Sequence, residues 1–263
     1  MTLAVLMPLH ETDSLNALKS TIENINSQSL QPDETYIVVD GPVSSQTRAF
    51  LEEISTSNHS LVVSFLRENV GLGAALNVGL RNIKSDLIAR VDIGDLSHLD
   101  RFQLQVSYLK KNLKVAALGS SLYEQKNDSR ILVRACENLD LSSVCKYRVP
   151  LFHPTVMYRR NLVLEVGGYP EFRKAQDWGL WSRMCANKLK LDNLREPLVA
   201  MDVGAGIHKR RGLQQLKYEI KVLSEQRKIG LTSKTEFFQS LILRGALRLS
   251  PNFIKRLAYK TFR

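Results

Sequence analysis

The chain has 263 residues, of which 44% are hydrophobic and 24% charged, as in an ordinary folded protein with one sizeable α/β domain. No apolar run approaches the length of a membrane span, and the apolar residues 3–9 lack the preceding basic region of a signal peptide. The three cysteines suit a reducing compartment and indicate neither a disulfide framework nor a zinc site.

The formal net charge of +11 is distributed unevenly. Residues 1–100 contain 6 Lys/Arg against 13 Asp/Glu, residues 101–263 contain 31 against 13, and no acidic residue follows Glu236. A basic half of this kind indicates a polyanionic partner: a nucleic acid, an anionic lipid or a diphosphate. Nucleic acid is disfavoured, because carboxylates at the ends of the predicted strands repel phosphate and no nucleic-acid-binding motif is present.

Short apolar runs alternate with helical patterns through the first hundred residues. We predict strands at residues 3–9, 35–39, 61–65 and 87–92, with a helix after each of the first three. Asp13 is predicted to cap the first of these helices. This alternation predicts a mostly parallel sheet that is covered by helices on both faces.

Polar residues follow three of these strands, at His10-Glu11, Asp40 and Asp92. Parallel strands place their carboxyl ends at one edge of the sheet, where ligands of open α/β sheets bind. We therefore expect these side chains to converge on a nucleotide site.

Residues 89–101, ARVDIGDLSHLDR, place Asp92, Asp95 and Asp100 directly after an apolar run. Carboxylates at the end of a buried strand are costly unless a cation lies beside them, and oxygen ligands suit Mg²⁺ or Mn²⁺ bound to a diphosphate. The alternative is a solvated turn before a helix, with Ser97 and Asp100 as a capping box. We assign Asp100 to the cap and favour a ligand role for Asp92.

Residues 67–79, RENVGLGAALNVG, lie between a predicted strand and a helix. The glycines permit close approach of the backbone, and the helix N-terminus favours a negative group. The segment lacks both the GxGxxG spacing and the Walker lysine. A tight strand-to-helix turn is the alternative interpretation.

The second half of the chain offers two further candidates. Residues 115–134 predict a strand and a hairpin, after which His153 precedes a proline and is either structural or part of a pocket. Asp177 begins a predicted helix, where a carboxylate favours the helix dipole. Asp177 is also a candidate general base, since the flanking Trp178 and Trp181 provide apolar surroundings that raise a carboxyl pKa. The local sequence does not decide between these roles.

Several motifs along the chain resemble those of inverting family-2 glycosyltransferases of GT-A fold, especially the bacterial enzymes of O-antigen, capsule and amylovoran-type exopolysaccharide synthesis. The motifs are MPLH, VVDG, RENVGLGAALNVGL, ARVDIGDLSHLDRF, FHPTVMYRR with GGY, KAQDWGLWSRM and MDVGAGIHKRRG. The resemblance covers about residues 1–230 and implies an α/β fold of GT-A type, Rossmann-like, with a mostly parallel sheet between helices.

The resemblance also implies roles for individual residues. The implied nucleotide-sugar contacts are Pro8, Glu11, Asp40, Asn69, Arg90 and Asp92. Asp177 is implied as the base that deprotonates the acceptor hydroxyl before in-line attack with inversion. The residues implied near the acceptor or a diphosphate are His153, Trp178, Arg210 and Arg211. The residues implied near a bridging Mn²⁺ or Mg²⁺ are Asp92, Asp95 and His208.

One position departs from the family's metal motif. Where the family has Asp-Ala-Asp-Asp, this sequence has Asp92-Ile93-Gly94-Asp95, so that Gly94 occupies the usual second ligand position. Asp92 and Asp95 hold the metal through a rearranged turn, or metal binding is weak and Arg210, Arg211 or His208 supplies the positive charge. We favour an active enzyme with an altered metal site over a non-catalytic relative, because Asp177 is retained.

We expect a glycosyltransferase domain at residues 1–230, with a nucleotide-binding half at 1–100 and an acceptor half at 101–230. Basic amphipathic helices are expected at residues 231–263, where apolar and cationic residues are mixed without acidic ones after Glu236. This mixture favours attachment in the plane of an anionic membrane over an ordinary exposed helix pair.

The expected activity is transfer of a hexose from a UDP-hexose to an undecaprenyl-diphosphate-linked sugar, at the cytoplasmic face of the bacterial inner membrane. A dTDP-rhamnosyltransferase and a non-catalytic scaffold of the same fold are the alternatives, and no nucleic-acid partner is expected.

Overall fold

The computed structural model describes residues 1–126, 129–136, 139–203 and 213–249. The strands are β1 Leu3–Leu9, β2 Glu34–Val39, β3 Leu61–Phe65, β4 Leu87–Arg90, β5 Leu96–Ser97, β6 Val115–Lys126, β7 Ser129–Val133, β8 Met157–Arg159 and β9 Lys190–Asp202. The helices are α1 Leu15–Asn26, α2 Ser45–Ser57, α3 Leu72–Asn82, α4 Arg101–Lys111, α5 Leu141–Tyr147, α6 Arg160–Glu165, α7 Gln176–Ala186, α8 Leu213–Lys228 and α9 Lys234–Leu249. A 3₁₀ turn spans His153–Thr155.

The strands form one mixed sheet in the order β3-β2-β1-β4-β8-β6-β9-β5, with β7 paired to β6. Strands β1 to β4 are parallel, as the alternation in the sequence predicts. The second half of the sheet is mixed, since β8 runs antiparallel to both β4 and β6, whereas β9 is parallel to β6. The prediction of an α/β sheet is confirmed, but the sheet as a whole is mixed, and the parallel pairing that the sequence predicts is concentrated in β1 to β4.

Both faces of the sheet are buried, which explains why β1 is apolar without interruption. Leu3, Val5, Met7 and Leu9 belong to the core on one face, together with residues of α1 and α4. Ala4 and Leu6 point to the other face and belong to the core formed with α3 and α7. A parallel strand with helices on both sides requires this pattern.

The carboxyl ends of the parallel strands lie side by side. Leu9 is opposite Val39 in the β1–β2 register, and Leu6 is opposite Arg90 in the β1–β4 register. Residues that directly follow these strands therefore share one edge of the sheet, as the sequence predicts.

The glycine-rich residues 67–79 serve close packing. A Cβ atom on Gly73 would lie 2.9 Å from the carbonyl oxygen of Pro170, so α3 and the loop after α6 approach closely only because Gly73 has no side chain. The Asn77 side chain forms two hydrogen bonds with the backbone of Tyr169. Its Nδ2 donates to the Tyr169 carbonyl oxygen at 2.8 Å, and its Oδ1 accepts from the Tyr169 N–H at 2.9 Å. The segment thereby fixes the position of the loop that leads into α7.

One predicted helix cap is wrong, and a second is confirmed in its position but lacks the predicted side-chain bonds. Ser14 caps α1 by accepting from the Ala17 N–H, whereas the Asp13 carboxylate accepts from the His10 N–H at 2.7 Å. Asp100 is the N-cap residue of α4 but makes no side-chain capping hydrogen bond. The Ser97 hydroxyl instead accepts from Arg101, because this arginine is buried and needs acceptors.

Helix α9 is attached to the rest of the domain at its first turn. Ser233 and Glu236 form a capping box, with backbone-to-side-chain distances of 2.7 and 3.2 Å. Glu236 also binds Lys146 of α5 at 2.8 Å, and this ion pair with the capping box lowers the pKa of Glu236 to about 2. The first turn of α9 is therefore held against the domain, while the boundary at residue 230 stays a prediction. Within the described ranges, no helix is long and apolar enough to cross a membrane.

Candidate active site

A cavity of about 880 Å³ opens at the carboxyl edge of β4 and extends to the C-terminal helices. Its walls bring together charged residues from distant parts of the chain, namely Arg90, Asp92, Glu124, Arg148, Arg173, Lys174, Asp177, Glu219 and Arg244. Asp92 and Asp177, which the sequence singles out separately, line this same cavity. His153 and Trp178 also line it, and their predicted place near the acceptor stays a prediction.

Arg90 and Asp92 form an ion pair in which both guanidinium nitrogens Nη1 and Nη2 bind the carboxylate. The Arg90 side chain is only 4% exposed, whereas that of Asp92 is 30% exposed and faces the cavity. A bidentate pair of this kind fixes the orientation of both groups. Asp92 is therefore a positioned carboxylate with a cation already at its side.

Arg101 lies beneath this ion pair and is 1% exposed. Its guanidinium donates to the carbonyl oxygen of Arg90 at 2.8 Å and to the hydroxyl of Ser97 at 2.9 Å. Burial lowers the pKa of Arg101 to about 9, and the negative charge of Asp95 opposes this shift. Arg101 remains charged at neutral pH and holds the end of β4 in place.

Asp95 does not line the cavity with Asp92. It is 6% exposed, and its Oδ1 accepts from the backbone N–H of Asp202 at 3.0 Å. Burial and the neighbouring charge of Asp92 raise the pKa of Asp95 to about 7. Gly94 between them has a φ of +92°, which favours glycine, and its N–H donates to the Thr21 hydroxyl.

These residues do not by themselves form a divalent metal site. Among the described residues there is no group of three or more His, Cys, Asp or Glu side chains that is able to hold a metal ion. Asp92 is paired with Arg90, and Asp95 is used by the backbone of β9. The third predicted metal residue, His208, lies outside the described residues, as do Arg210 and Arg211.

The predicted nucleotide residues Asp40 and Asn69 are neighbours at the ends of β2 and β3. The Asp40 carboxylate accepts from the backbone N–H groups of Val70 at 2.8 Å and Gly71 at 3.0 Å, and Asn69 Nδ2 lies 3.4 Å from the Asp40 carbonyl oxygen. The negative group at the start of α3 is thus supplied by the protein itself. The predicted role of Asp40 in nucleotide binding stays a prediction.

Pro8 and Glu11 lie at the same edge. Pro8 is the residue before the end of β1 and is opposite Val38 in the register with β2. Glu11 is exposed in the turn after β1. The described lining of the large cavity contains neither of them, so a nucleoside at this edge would occupy an adjoining surface.

Asp177 lies in the first turn of α7, where its side chain is half-buried and faces the cavity. The helix begins directly after Ala175, whose left-handed backbone, with φ of 60°, turns the chain into the helix. The adjacent Trp178 is 2% exposed and donates its indole N–H to the Cys145 carbonyl oxygen at 2.6 Å. Asp177 is therefore a carboxylate that lines the same cavity as the Arg90–Asp92 pair.

His153 is buried in the wall of the cavity. Its Nε2 lies 3.0 Å from the hydroxyl of Tyr169, and the two rings are in tilted contact. Burial, with the positive charge of Arg90 as the second cause, holds the pKa of His153 well below its usual value. His153 is therefore neutral at pH 7 and contributes an uncharged polar side chain to the cavity wall.

Sequence reasoning missed Arg101, Tyr169 and Arg244. Arg101 and Tyr169 lie within the motifs DRF and GGY, so the sequence draws attention to both residues. The motifs do not indicate which side chains or backbone groups these residues contact. Arg244 has no local signal, because its neighbours Glu219, Tyr147 and Trp178 reach it only in the folded chain.

Comparison with known proteins identifies the family. The model of glycosyl transferase family 2 matches residues 4–169. The chain belongs to this family. It is therefore a glycosyltransferase. It is 30% identical over 264 residues to UDP-Gal:alpha-D-GlcNAc-diphosphoundecaprenol beta-1,3-galactosyltransferase of Escherichia coli, covering 98% of this chain and 94% of that protein. It is 27% identical to the amylovoran biosynthesis glycosyltransferase AmsE of Erwinia amylovora, covering 98% and 97% of the two chains.

Solved structures confirm the GT-A fold. Staphylococcus aureus TarS 1-349 in complex with UDP-GlcNAc superposes with a TM-score of 0.71 at 17% identity, covering 92% of this chain and 70% of that one. The mannosyltransferase PcManGT from Pyrobaculum calidifontis, in complex with GDP-Man and Mn²⁺, gives a TM-score of 0.67 at 17% identity, covering 94% and 70%. At these identities the likeness concerns the fold alone.

His153→Gln is expected to remove a pH dependence of stability. A histidine that stays neutral in the fold binds a proton only when unfolded, so its contribution is complete above pH 6.5 and is lost as pH falls below it. The free energy of unfolding of the wild type should rise by up to about 1.4 kcal/mol per pH unit relative to the variant between pH 5 and 6.5. Urea unfolding at pH 5, 6 and 7 measures this difference.

The exposed His59 supplies the control. His59→Gln should keep the pH dependence of the wild type. A His153→Gln protein whose unfolding free energy changes with pH as in the wild type would contradict a neutral buried imidazole.

Proposed function

We propose that this enzyme transfers a hexose from a UDP-hexose to a sugar linked to undecaprenyl diphosphate, with inversion at the anomeric carbon, in the synthesis of a bacterial surface polysaccharide. The supporting observation is that Asp177 and the Arg90–Asp92 pair face one cavity in a family-2 glycosyltransferase. The near full-length likeness to the E. coli enzyme named above supports the choice of UDP and of a lipid-linked acceptor. Galactose is the hexose we expect from the same likeness.

Asp177 acts as the general base in this proposal. Its carboxylate takes the proton of the acceptor hydroxyl, whose oxygen attacks the anomeric carbon of the bound hexose. The bond between that carbon and the diphosphate oxygen breaks on the opposite side, and UDP leaves with the bonding electrons. The half-buried position of Asp177 beside Trp178 keeps the base within a partly apolar wall, where an acceptor sugar is able to lie.

The nucleotide-sugar lies, in this proposal, along the carboxyl edge of β1, β2 and β4. Pro8, Glu11, Asp40 and Asn69 border the nucleoside, and Arg90 with Asp92 borders the diphosphate. The Arg90 guanidinium offers positive charge close to where the leaving diphosphate develops negative charge, which stabilises the transition state. Arg101 acts through Arg90 and positions it.

Use of Mn²⁺ or Mg²⁺ stays a prediction of the family resemblance. The described residues present too few oxygen and nitrogen ligands for a preformed site, so no step of the mechanism is assigned to a metal. An ion that participates would take its ligands from the substrate diphosphate, Asp92 and the region of His208.

We also propose that the enzyme binds the cytoplasmic face of the inner membrane through its C-terminal helices. Phe238, Ile242 and Leu243 on α9 are 58%, 71% and 65% exposed, which gives this helix an outward apolar face. The 27 residues after Glu236 contain no carboxylate to repel anionic lipid. An apolar face together with basic residues is the pattern of an interfacial helix.

Asp177→Asn is expected to reduce kcat by about 10²- to 10⁴-fold while leaving UDP binding intact, because the amide accepts no proton. Transfer from UDP-galactose to a synthetic GlcNAc-diphosphate lipid measures turnover, and the Tm increase on adding UDP measures binding. Glu171→Gln is the matched control, since Glu171 is exposed just before α7 and does not line the cavity. A variant that retains more than a tenth of wild-type turnover would exclude Asp177 as the base.

UDP alone is expected to raise Tm more than dTDP or GDP, whereas Mn²⁺ alone leaves Tm unchanged, because a ligand stabilises only by binding the folded state. Thermal melts in EDTA and in Mn²⁺, with and without each nucleotide, test this. If Mn²⁺ alone raised the Tm of the wild type but not that of Asp92→Asn, the expectation would be wrong and a preformed metal site would be established. A larger shift with dTDP than with UDP would favour the rhamnosyltransferase.

Replacing Ile242 and Leu243 by serine is expected to weaken binding to vesicles that contain anionic lipid by about tenfold or more, because two exposed apolar side chains no longer enter the interface. Flotation of the purified proteins measures binding. Leu113→Ser is the control, since Leu113 is 69% exposed in the α4–β6 connection, away from α9. Equal flotation of all three proteins would exclude α9 as the membrane-binding element.

A further inference from the structure

We infer that Arg244 binds the diphosphate of the lipid-linked acceptor, so that helix α9 forms part of the acceptor site as well as an outer surface. This inference rests on the proposed function, since that function supplies the anionic acceptor.

Arg244 reaches the cavity from the C-terminal end of the described chain. Its Nη1 lies 2.9 Å from Glu219 Oε2 on α8, and its Nη2 donates to the carbonyl oxygen of Tyr147 at the end of α5. The guanidinium carbon lies 4.4 Å from the centre of the Trp178 ring. The cation is therefore held by three elements against the tryptophan that follows the proposed base.

A purely structural role does not explain this arrangement well. The side chains of Arg244 and Glu219 are only 17% and 5% exposed, and removing such a pair from water costs about as much as their attraction returns. Yet the pair lies in a cavity wall, where Glu219 and Arg244 are both part of the lining. A positioned guanidinium at such a surface is suited to bidentate binding of a phosphate.

Further cations line the same cavity. Arg148, which follows α5, and Arg173 and Lys174, which precede α7, also line the cavity and have exposed side chains. Four cations thus come from three separate segments to the region around Asp177. This charge favours an anionic ligand on the acceptor side, in addition to the diphosphate of the nucleotide-sugar near Arg90.

The geometry relates this charge to the acceptor. The hydroxyl that reacts must approach Asp177, while the diphosphate of the proposed acceptor is attached to the anomeric carbon of the same sugar. Asp177 and Trp178 are adjacent in the first turn of α7, and Arg244 covers the Trp178 ring. A sugar that rests against this wall therefore brings its diphosphate towards Arg244 when its hydroxyl is near the base.

The test compares two soluble acceptors in assays without vesicles: GlcNAc linked by a diphosphate to a short alkyl chain, and a neutral alkyl glycoside of GlcNAc. Arg244→Gln should raise KM for the diphosphate acceptor about 10- to 100-fold, the loss expected for one charge-assisted contact. KM for UDP-galactose should not change, nor should kcat/KM for the neutral glycoside. Arg244→Lys should recover part of the loss, because it keeps the charge without the planar fork.

A second variant separates ligand binding from packing. Arg244→Gln leaves Glu219 without this partner, so the double variant Glu219→Gln with Arg244→Gln restores a neutral pair. If Arg244 only stabilises α8 and α9, the double variant recovers both Tm and KM for the diphosphate acceptor, and the inference fails. If Arg244 binds the diphosphate, the double variant recovers Tm and keeps the raised KM. Lys228→Gln, an exposed change on α8 outside the cavity lining, is the charge control and should behave as wild type.

The outcomes also distinguish this inference from the proposed function. Absence of transfer by the wild-type enzyme with both acceptors contradicts the proposed function. Transfer by the wild type with an unchanged acceptor KM in Arg244→Gln leaves the function standing and overturns the inference alone. An effect of Arg244→Gln that appears only when anionic vesicles are added assigns Arg244 to a lipid headgroup, which also overturns the inference.

Discussion

The hydrogen bonds of the buried Arg101 guanidinium are the interactions on which the cavity wall at Arg90 and Asp92 depends. An isolated cation in the core is costly, and this one is stabilised by the Arg90 carbonyl oxygen, the Ser97 hydroxyl and the nearby charge of Asp95. These partners belong to the end of β4, to the turn that follows it and to β5. Since Arg90 and Asp92 lie on that same stretch of backbone, the direction in which they point is fixed by a residue that never faces the cavity.

The carboxylates at the edge of the sheet consequently divide into two kinds. Asp92 and Asp177 face the cavity, whereas Asp40 and Asp95 accept backbone N–H groups of Val70, Gly71 and Asp202. The carboxylate oxygen atoms that would bind a ligand are used in these two residues to accept backbone N–H groups. These hydrogen bonds hold a loop or a strand in place. A carboxylate that follows a strand is therefore a good indication of where a site lies and a poor indication of which oxygen meets the substrate.

This division explains how much the sequence was able to predict. The apolar character of β1 and the alternation of β1 to β4 with helices are local patterns. They correctly predict parallel strands whose carboxyl ends share one edge of the sheet. The assignment of Asp95 to a metal site came from the resemblance to the family's metal motif, and that motif does not say that Asp95 turns inwards to β9. Arg244 was assigned only to a basic tail, because its contacts with Glu219, Trp178 and Tyr147 arise from the packing of α5, α7, α8 and α9.

The packing of α9 gives one helix two environments. Arg244 points into the cavity, while Ile242, two residues earlier and roughly on the opposite side of a helix with 3.6 residues per turn, is 71% exposed. In the proposed function these two faces serve one requirement. An undecaprenyl-linked acceptor keeps its chain in the bilayer and its diphosphate at the headgroup level, so the cation that meets it has to lie on the element nearest the membrane. Helix α9 would bind the membrane interface with one face and line the cavity with the other. This arrangement would place Asp177, Trp178 and Arg244 at the level of the lipid headgroups.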